Sequence, residues 1–392
     1  MKFSQFGRFT LAAVALTAMS LTISACSVGH TLDYLYVTTA GSGTVYVYNV
    51  DNDSGALTPN STFSSGGTTP VAEVVSPNAK YLYIANQGSN NIAQFTINSD
   101  GSLTAGSVVK LPGTGTTPTF LATDPEGLNL LVSYTNGYNA TGTSPVIVNG
   151  GVAVYPISAT SGSLGTGVAN AVGHNPLGLN VTDFVQSNHI YYTYVVDQAD
   201  ARVLAFQFNA TTGALTALSP ASVTAGVSPT AVTSGPTAQY VYVTDAASNQ
   251  LIGYVIQPNG TLVPMINGPF GAGTYPNSAT IDPRGLFLYV TNYDSSTVGA
   301  YAISQTTGEP SGIPASVSFA VGTYPVAICI EPALGIYVFT ANSIDNSISS
   351  LQLNNHTGAL TDNQNTPFNT GKGPSAVVAV AAGNHATQIV QP

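Results

Sequence analysis

Charge is what this chain has least of. Only 6% of its 392 residues are Asp, Glu, Lys or Arg, against about 25% in an average soluble domain. Seven basic residues face seventeen acidic ones, for a net charge of −10. So few cations exclude a protein that tracks nucleic-acid phosphates, which needs clustered Lys and Arg. They also argue against a site for multiply phosphorylated substrates. Trp is absent and there are two cysteines, too few for a disulfide-stapled scaffold. Past the N-terminal segment, no apolar run is long enough to span a bilayer. Yet 44% of the residues are hydrophobic, which excludes a disordered chain. What is abundant is Gly (40), Pro (24) and Tyr (21), set among Thr, Val, Ser and Asn. Aromatic and β-branched residues with constant Gly and Pro punctuation point to strands and turns.

The N-terminus reads as an address. Lys2 and Arg8 precede an apolar run from Phe9 to Ile23, with the order and length of a secretory signal. The tetrapeptide Ile23-Ser24-Ala25-Cys26 resembles a bacterial lipobox. On that reading residues 1–25 are a lipoprotein signal peptide, Cys26 carries the lipid, and 26–31 form a tether. The protein is then expected in a bacterial cell envelope, held to a membrane through Cys26. Ser27, where an Asp would retain the protein at the inner membrane, favours the outer one. Loss of Lys2 and Arg8 takes the charge from −10 to −12. Cys329, in Val326-Ala327-Ile328-Cys329-Ile330, is then the one thiol left and reads as a small buried hydrophobe.

Three motifs repeat through the rest of the chain. The first is an aromatic-rich strand, mostly ending in Asn or Asp. Clear copies are Leu82-Tyr83-Ile84-Ala85-Asn86, Val241-Tyr242-Val243-Thr244-Asp245 and Leu288-Tyr289-Val290-Thr291-Asn292. Others are Leu35 to Thr39, Leu130 to Tyr134, Thr193 to Asp197 and Val338 to Asn342. The second is a Gly-x-x-Pro turn, at Gly67, Gly115, Gly173, Gly226, Gly273, Gly322 and Gly371. The third is a polar-Gly turn at Gly55, Gly101, Gly162, Gly213, Gly260, Gly308 and Gly358. The usual interval is about 47–50 residues, the range of propeller repeats. One interval is longer, with a Gly/Asn/Thr-rich insertion at about 135–150 that contains Tyr138, Asn139 and Asn149. Each repeat reads as four strands, so the prediction is all-β: a seven-bladed β-propeller over 32–382, with 383–392 as a tail. The repeats begin on a second strand (Asp33 to Thr39) and end on a lone first strand (Ser375 to Val380). The C-terminal strand is therefore expected to complete the N-terminal blade and close the ring.

Tyr289-Val290-Thr291-Asn292, Thr212-Gly213-Ala214-Leu215-Thr216 and Asp197-Gln198-Ala199-Asp200-Ala201-Arg202-Val203 resemble the Tyr-Val-Thr-Asn surface propellers. More specifically, they resemble the seven-bladed lactonase family, which includes 6-phosphogluconolactonase and carboxymuconate lactonizing enzymes. The resemblance covers nearly all of residues 31–382. It implies a site on the face where first strands begin and second strands end. The family pattern there is Pro-His-x-His in one blade, then Gly-Pro-Arg-His with an Asn-Glu strand end in the next. This chain has Pro176-Leu177-Gly178-Leu179, Ser228-Pro229-Thr230-Ala231 and Asp245-Ala246 instead. Asp197 and Arg202 keep family-like places.

By strand order, that face gathers Asn86, Asp197, Asp245, Asn292 and Asn342, with His174, Tyr275, Tyr324 and Lys372 from the turns. A ring of Asp and Asn oxygens suits sugar hydroxyls or a divalent cation in the propeller channel. The bland alternative has each Asn or Asp bonding the backbone of its own turn. His174, Asp197 and Arg202 are the catalytic candidates; Asn86, Asp245, Tyr275, Asn292, Tyr324 and Asn342 are the ligand-binding ones. No His/Cys grouping has metal-ligand spacing, and no Gly-x-Ser-x-Gly motif is present. No resident metal or cofactor is expected. His189 and His356 read as turn residues and His385 as part of the tail. The main expectation is a monomeric, envelope-anchored module that binds a small molecule, glycan or envelope protein without the family's catalytic set. The alternative is a lactone hydrolase with a rearranged site.

Overall fold

The aromatic strands are buried on both faces. Tyr81–Asn86, Phe287–Asn292 and Tyr337–Asn342 are buried at every residue, as happens when a sheet packs between two others. The computed structural model describes residues 31–113, 116–136, 149–182 and 189–383. These form seven small antiparallel sheets and no helix. The signal segment, Cys26, residues 114–115 with Gly115, Tyr138, Asn139 and His385 lie outside the described residues.

Each sheet is a blade of four strands that run in sequence order outward from the axis, except in blade 1, whose innermost strand is the last of the chain. Blade 2, for example, runs Pro70–Val75, Tyr81–Asn86, Asn91–Ile97, Leu103–Lys110. In blades 5, 6 and 7 the outer strand is broken into two short pieces that both pair with the third strand. The seven first strands pack successively in a closed circle around the axis. Closure occurs as expected: Pro374–Ala381 pairs antiparallel with Thr31–Thr39, from Asp33 opposite Ala381 to Thr39 opposite Pro374. The long interval falls in blade 3, where the strands Asn129–Asn136 and Gly150–Pro156 pair with Gly150 opposite Thr135. Ladder pairing thus extends into both ends of the segment read as an insertion.

A feature of register escaped the sequence. All seven first strands change register just after their Pro, as between Pro118 and Phe120 or Pro229 and Ala231. Such bulges re-aim a side chain. Here the residue after the Pro reaches the next blade: Thr119 Oγ1 donates to Pro176 O (2.6 Å), Thr230 Oγ1 to Pro276 O (3.0 Å) and Ser375 Oγ to Pro70 O (2.7 Å).

The tyrosines and the polar-Gly turns also meet. In five blades a second-strand Tyr donates its hydroxyl to the carbonyl of the turn Gly in the next blade. The pairs are Tyr36–Gly101, Tyr83–Gly162, Tyr194–Gly260, Tyr242–Gly308 and Tyr289–Gly358. Blade 3 carries Leu131 at this place. Blade 7 carries Phe339, and there Ser350 Oγ serves Gly55 O instead, at 2.7 Å. Burial raises these phenols well above their ordinary range, so they stay protonated donors. What reads as a core stripe is also a set of latches between blades.

The seam between blades 7 and 1 buries acids. Asp33 and Glu331 are fully buried. Glu331 accepts from Leu334 N and Ile336 N, both at 2.7 Å. Burial, then the facing Glu331, pushes the Asp33 carboxyl up to about 8. Asp33 is therefore held towards its protonated form. Burial likewise pushes Glu73, on a neighbouring first strand, up to about 8. Burial, with these three acids nearby, holds the Cys329 thiol well above its usual range. A thiol held protonated is a weak nucleophile.

Candidate active site on the upper face

The upper face is where first strands begin and second strands end. Its Gly-x-x-Pro turns lie over the Asn/Asp residues that end the second strands, and the two motif columns require each other. An added Cβ at Gly273 would sit 2.6 Å from Asn292 Cγ, and one at Gly226 only 2.0 Å from Asp245 Oδ2. Only a missing side chain lets the Asn or Asp fit beneath the turn.

Asn86, Asp245, Asn292 and Asn342 are fully buried. Asn86 donates to Ser65 O and Asn91 Oδ1. Asn292 accepts from Gly273 N and donates to Thr297 Oγ1. Asn342 donates to Ser347 and Ser349. Asp245 accepts from Val227 N, Ser228 N and Gln250 Nε2. Burial pushes the Asp245 carboxyl up, but these bonds, with Ser248, outweigh it and hold it below the carboxylate range. The four residues share the face, as the strand order requires. Each is turned into the blade as a turn lock, with a partner five residues on, and the Asn86 Oδ1 is left without a hydrogen bond. With no exposed surface they offer no ring of oxygens to a sugar or a cation.

Asp197 is the blade 4 version of the lock, and Arg202 is its partner five residues on. Asp197 is fully buried. It accepts from His174 N (3.2 Å), Asn175 N (2.9 Å), Arg202 Nε (3.4 Å) and Arg202 Nη2 (3.3 Å). What sets blade 4 apart is the layer above. His174 Nδ1 lies 2.8 Å from Asp200 Oδ2, and Arg202 Nη2 lies 2.5 Å from the same oxygen. The hydrogen bond from His174, with the nearby Arg202, holds the Asp200 carboxyl below its ordinary value. The His174 side chain is 50% exposed and that of Asp200 31%. The three sequence candidates His174, Asp197 and Arg202 thus come together, and Asp200 joins them. Asp200 lies in the Asp197-to-Val203 motif, without a local signal of its own. Its link to His174, 26 residues earlier, exists only once the two turns stack. From this group Asn175, Gln198 and Ser228 carry a chain of hydrogen bonds to blade 5.

His174, Asp197 and Asp200 also bring ligand-type atoms within 4.8 Å of one another. The donor set fits a metal poorly. Asp197 already serves two amides and Arg202, and the guanidinium stands between the two carboxylates as a built-in cation.

Tyr275 and Tyr324 lie elsewhere on this face, in the turns of blades 6 and 7, joined by Tyr293. The other sequence-marked groups stand apart. Lys372 is exposed in the blade 1 turn, and Asn149 is exposed at the edge of the insertion. His189 sits on the opposite face, where its Nδ1 lies 2.6 Å from Glu126 Oε2. Two clefts, of about 430 and 340 Å³, open between blades and contain neither His174 nor Asp200. Among the described residues no helix is long and apolar enough to cross a membrane.

Residues 2–114 and 184–331 match the family described as lactonase, seven-bladed β-propeller. A segment of 117 residues is 32% identical to 6-phosphogluconolactonase of Yersinia pestis, and covers 30% of this chain and 33% of that enzyme. The match thus spans about a third of that relative's length. Two solved structures share the fold at low identity. A putative 6-phosphogluconolactonase of Bacteroides fragilis aligns at TM-score 0.73 and 19% identity, over 90% of this chain and 99% of its own. The periplasmic gluconolactonase of Pseudomonas aeruginosa aligns at TM-score 0.72 and 20% identity, over 90% and 100%. The chain belongs to the lactonase family of seven-bladed β-propellers.

Proposed function

We propose that the protein is a lactone hydrolase whose site is His174, Asp200 and Arg202. The observation that carries this is the 2.8 Å contact of His174 Nδ1 with Asp200 Oδ2 at an exposed place on the upper face. Asp200 orients the imidazole through Nδ1 and leaves Nε2 to take a proton. A water attacks the lactone carbonyl carbon as Nε2 removes its proton. Asp200 stabilises the imidazolium. The guanidinium of Arg202, 34% exposed, supplies N–H groups toward the oxyanion. The ring C–O bond then breaks, its oxygen takes the proton back from Nε2, and a hydroxy acid leaves. Family membership and the lactonase names of the relatives support this reading over that of a binding module without catalysis.

The substrate class follows from charge. Arg202 is held by Asp197 and Asp200, and among the described residues no other Lys or Arg contacts this group. A phosphate has no free cation there, so the substrate is an unphosphorylated sugar-acid lactone. Proton release on a panel of phosphorylated and unphosphorylated lactones tests it. Turnover of unphosphorylated lactones that is lost in His174→Ala supports the proposal. No turnover by the wild-type protein returns the binding-module reading.

A further inference from the structure

We propose a second ligand site on the upper face: a tyrosine strip across the seam of blades 6 and 7 that binds the apolar face of a neutral sugar in a glycan. Tyr293 and Tyr324 stack with ring centroids 4.5 Å apart and planes 8° from parallel. Tyr275 tilts against the Tyr293 ring at 5.6 Å. Tyr275 is 40% exposed, and Val227 and Ile344 on the flanking turns are exposed at 66% and 59%. Burial therefore does not explain why these apolar groups stand here.

The repeats supply an internal control. The residue before the turn Pro has a left-handed backbone in four blades: Thr69 (φ 52°), Tyr275 (57°), Tyr324 (56°) and Gly373 (62°). A bulky residue is costly in that region, and glycine is not. Blade 1 uses Gly373 at this place. Blades 6 and 7 place tyrosine there, Tyr275 exposed and Tyr324 half-buried, against the backbone's preference. Strain of this kind persists where the side chain has a use.

The chemistry around the strip selects the ligand. The exposed ring of Tyr275 and the half-buried rings of Tyr293 and Tyr324 offer C–H-rich faces and π surface with a polar rim. Asn249, Ser295, Ser296 and Asp345 already anchor the turn amides of Tyr275, Thr274, Tyr324 and Thr323, so the strip is held rigid, as a preorganised platform requires. Asp294 and Asp345 are exposed on the same turns, and no Lys or Arg lies in them. Anionic polymers are repelled, and a neutral glycan is the partner that fits. This site is independent of His174 and does not require lactone chemistry.

The test titrates the full chain with maltohexaose, cellohexaose and chitohexaose. Binding is read by calorimetry and by tyrosine fluorescence, which is unmasked because the chain has no Trp. At least one sugar is expected to bind in the millimolar range or tighter. Tyr275→Ala should weaken that binding at least tenfold, while Glu309→Gln, on the opposite face, should leave it unchanged. Tyr275→Gly should lose binding equally and unfold at the same temperature or higher, because the backbone strain is relieved. Three results overturn the proposal: a wild-type chain indifferent to every sugar, undiminished binding by Tyr275→Gly, or a clear drop in that variant's unfolding temperature. The last would make the ring a staple between blades.

Discussion

The blade latches permit a graded test with a control in the same chain. Tyr194 donates to Gly260 O at 2.8 Å in a buried place. Tyr194→Phe keeps the ring and strands that carbonyl, at a cost of about 1–3 kcal/mol. Gly260 has φ +81°, and an added Cβ would meet the Tyr192 ring at 2.2 Å. Gly260→Ala therefore combines backbone strain, about 1 kcal/mol, with overpacking of about 1–3 kcal/mol. Gly213 is the control. Its φ is +70°, but the nearest atom to an added Cβ is Val154 Cγ1 at 3.2 Å, and blade 3 has no tyrosine latch there. Gly213→Ala should cost little beyond the strain. A propeller of about 350 residues unfolds with an entropy near 0.7 kcal/mol/K, so each kcal/mol moves the midpoint by roughly 1.4 °C. Calorimetry should then show drops of about 1.5–4 °C for Tyr194→Phe, 3–5.5 °C for Gly260→Ala and 1–2 °C for Gly213→Ala. Equal losses for the two glycines, or a silent Tyr194→Phe, would refute the latch.

Other outcomes follow from the same structure. Asp33 keeps its proton in the folded state up to about pH 8 but loses it near 3.8 when unfolded. The folded state holds the extra proton, so stability should fall as pH rises from about 4 to 8. Asp33→Asn should flatten that slope, as should Glu73→Gln; unchanged slopes in thermal scans would contradict the buried-proton account. Truncation after Gly373 removes the strand that pairs with Thr31–Thr39. It should abolish the cooperative transition, and normal unfolding would refute the closure. Because Arg202 occupies the gap between Asp197 and Asp200, EDTA and Ca²⁺ should leave the wild-type unfolding temperature unchanged. A calcium-dependent rise would contradict the occupancy argument.

The fold was legible because its period is written three times over, in the strand, Gly-x-x-Pro and polar-Gly columns. Ring closure was legible from the lone strand after Gly371. The bulge after each Pro was not, since it is a matter of ladder register and leaves no residue signature. The Asn/Asp column was ambiguous for a physical reason. An Asn at a strand end can face solvent or fold back under a turn. The choice rests on the space that Gly67, Gly226, Gly273 and Gly322 leave open, which appears only when the turns are stacked. His174 is legible from its turn, and Asp197 and Arg202 from the family resemblance. The pairing of His174 with Asp200 was hidden because it links two turns of blade 4 whose approach is tertiary. Tyr275 and Tyr324 were marked by position, but their stacking through Tyr293 needs the neighbouring blade.

The most direct test of the proposed activity is kcat/KM for an unphosphorylated sugar-acid lactone, measured by proton release for the wild type, His174→Ala and Asp200→Asn. General-base catalysis contributes about 10²–10⁴-fold. His174→Ala should therefore lower kcat/KM by at least about a hundredfold, and Asp200→Asn by a smaller but clear factor, with thermal unfolding near that of wild type. Turnover that survives His174→Ala unchanged would contradict the assignment of the site.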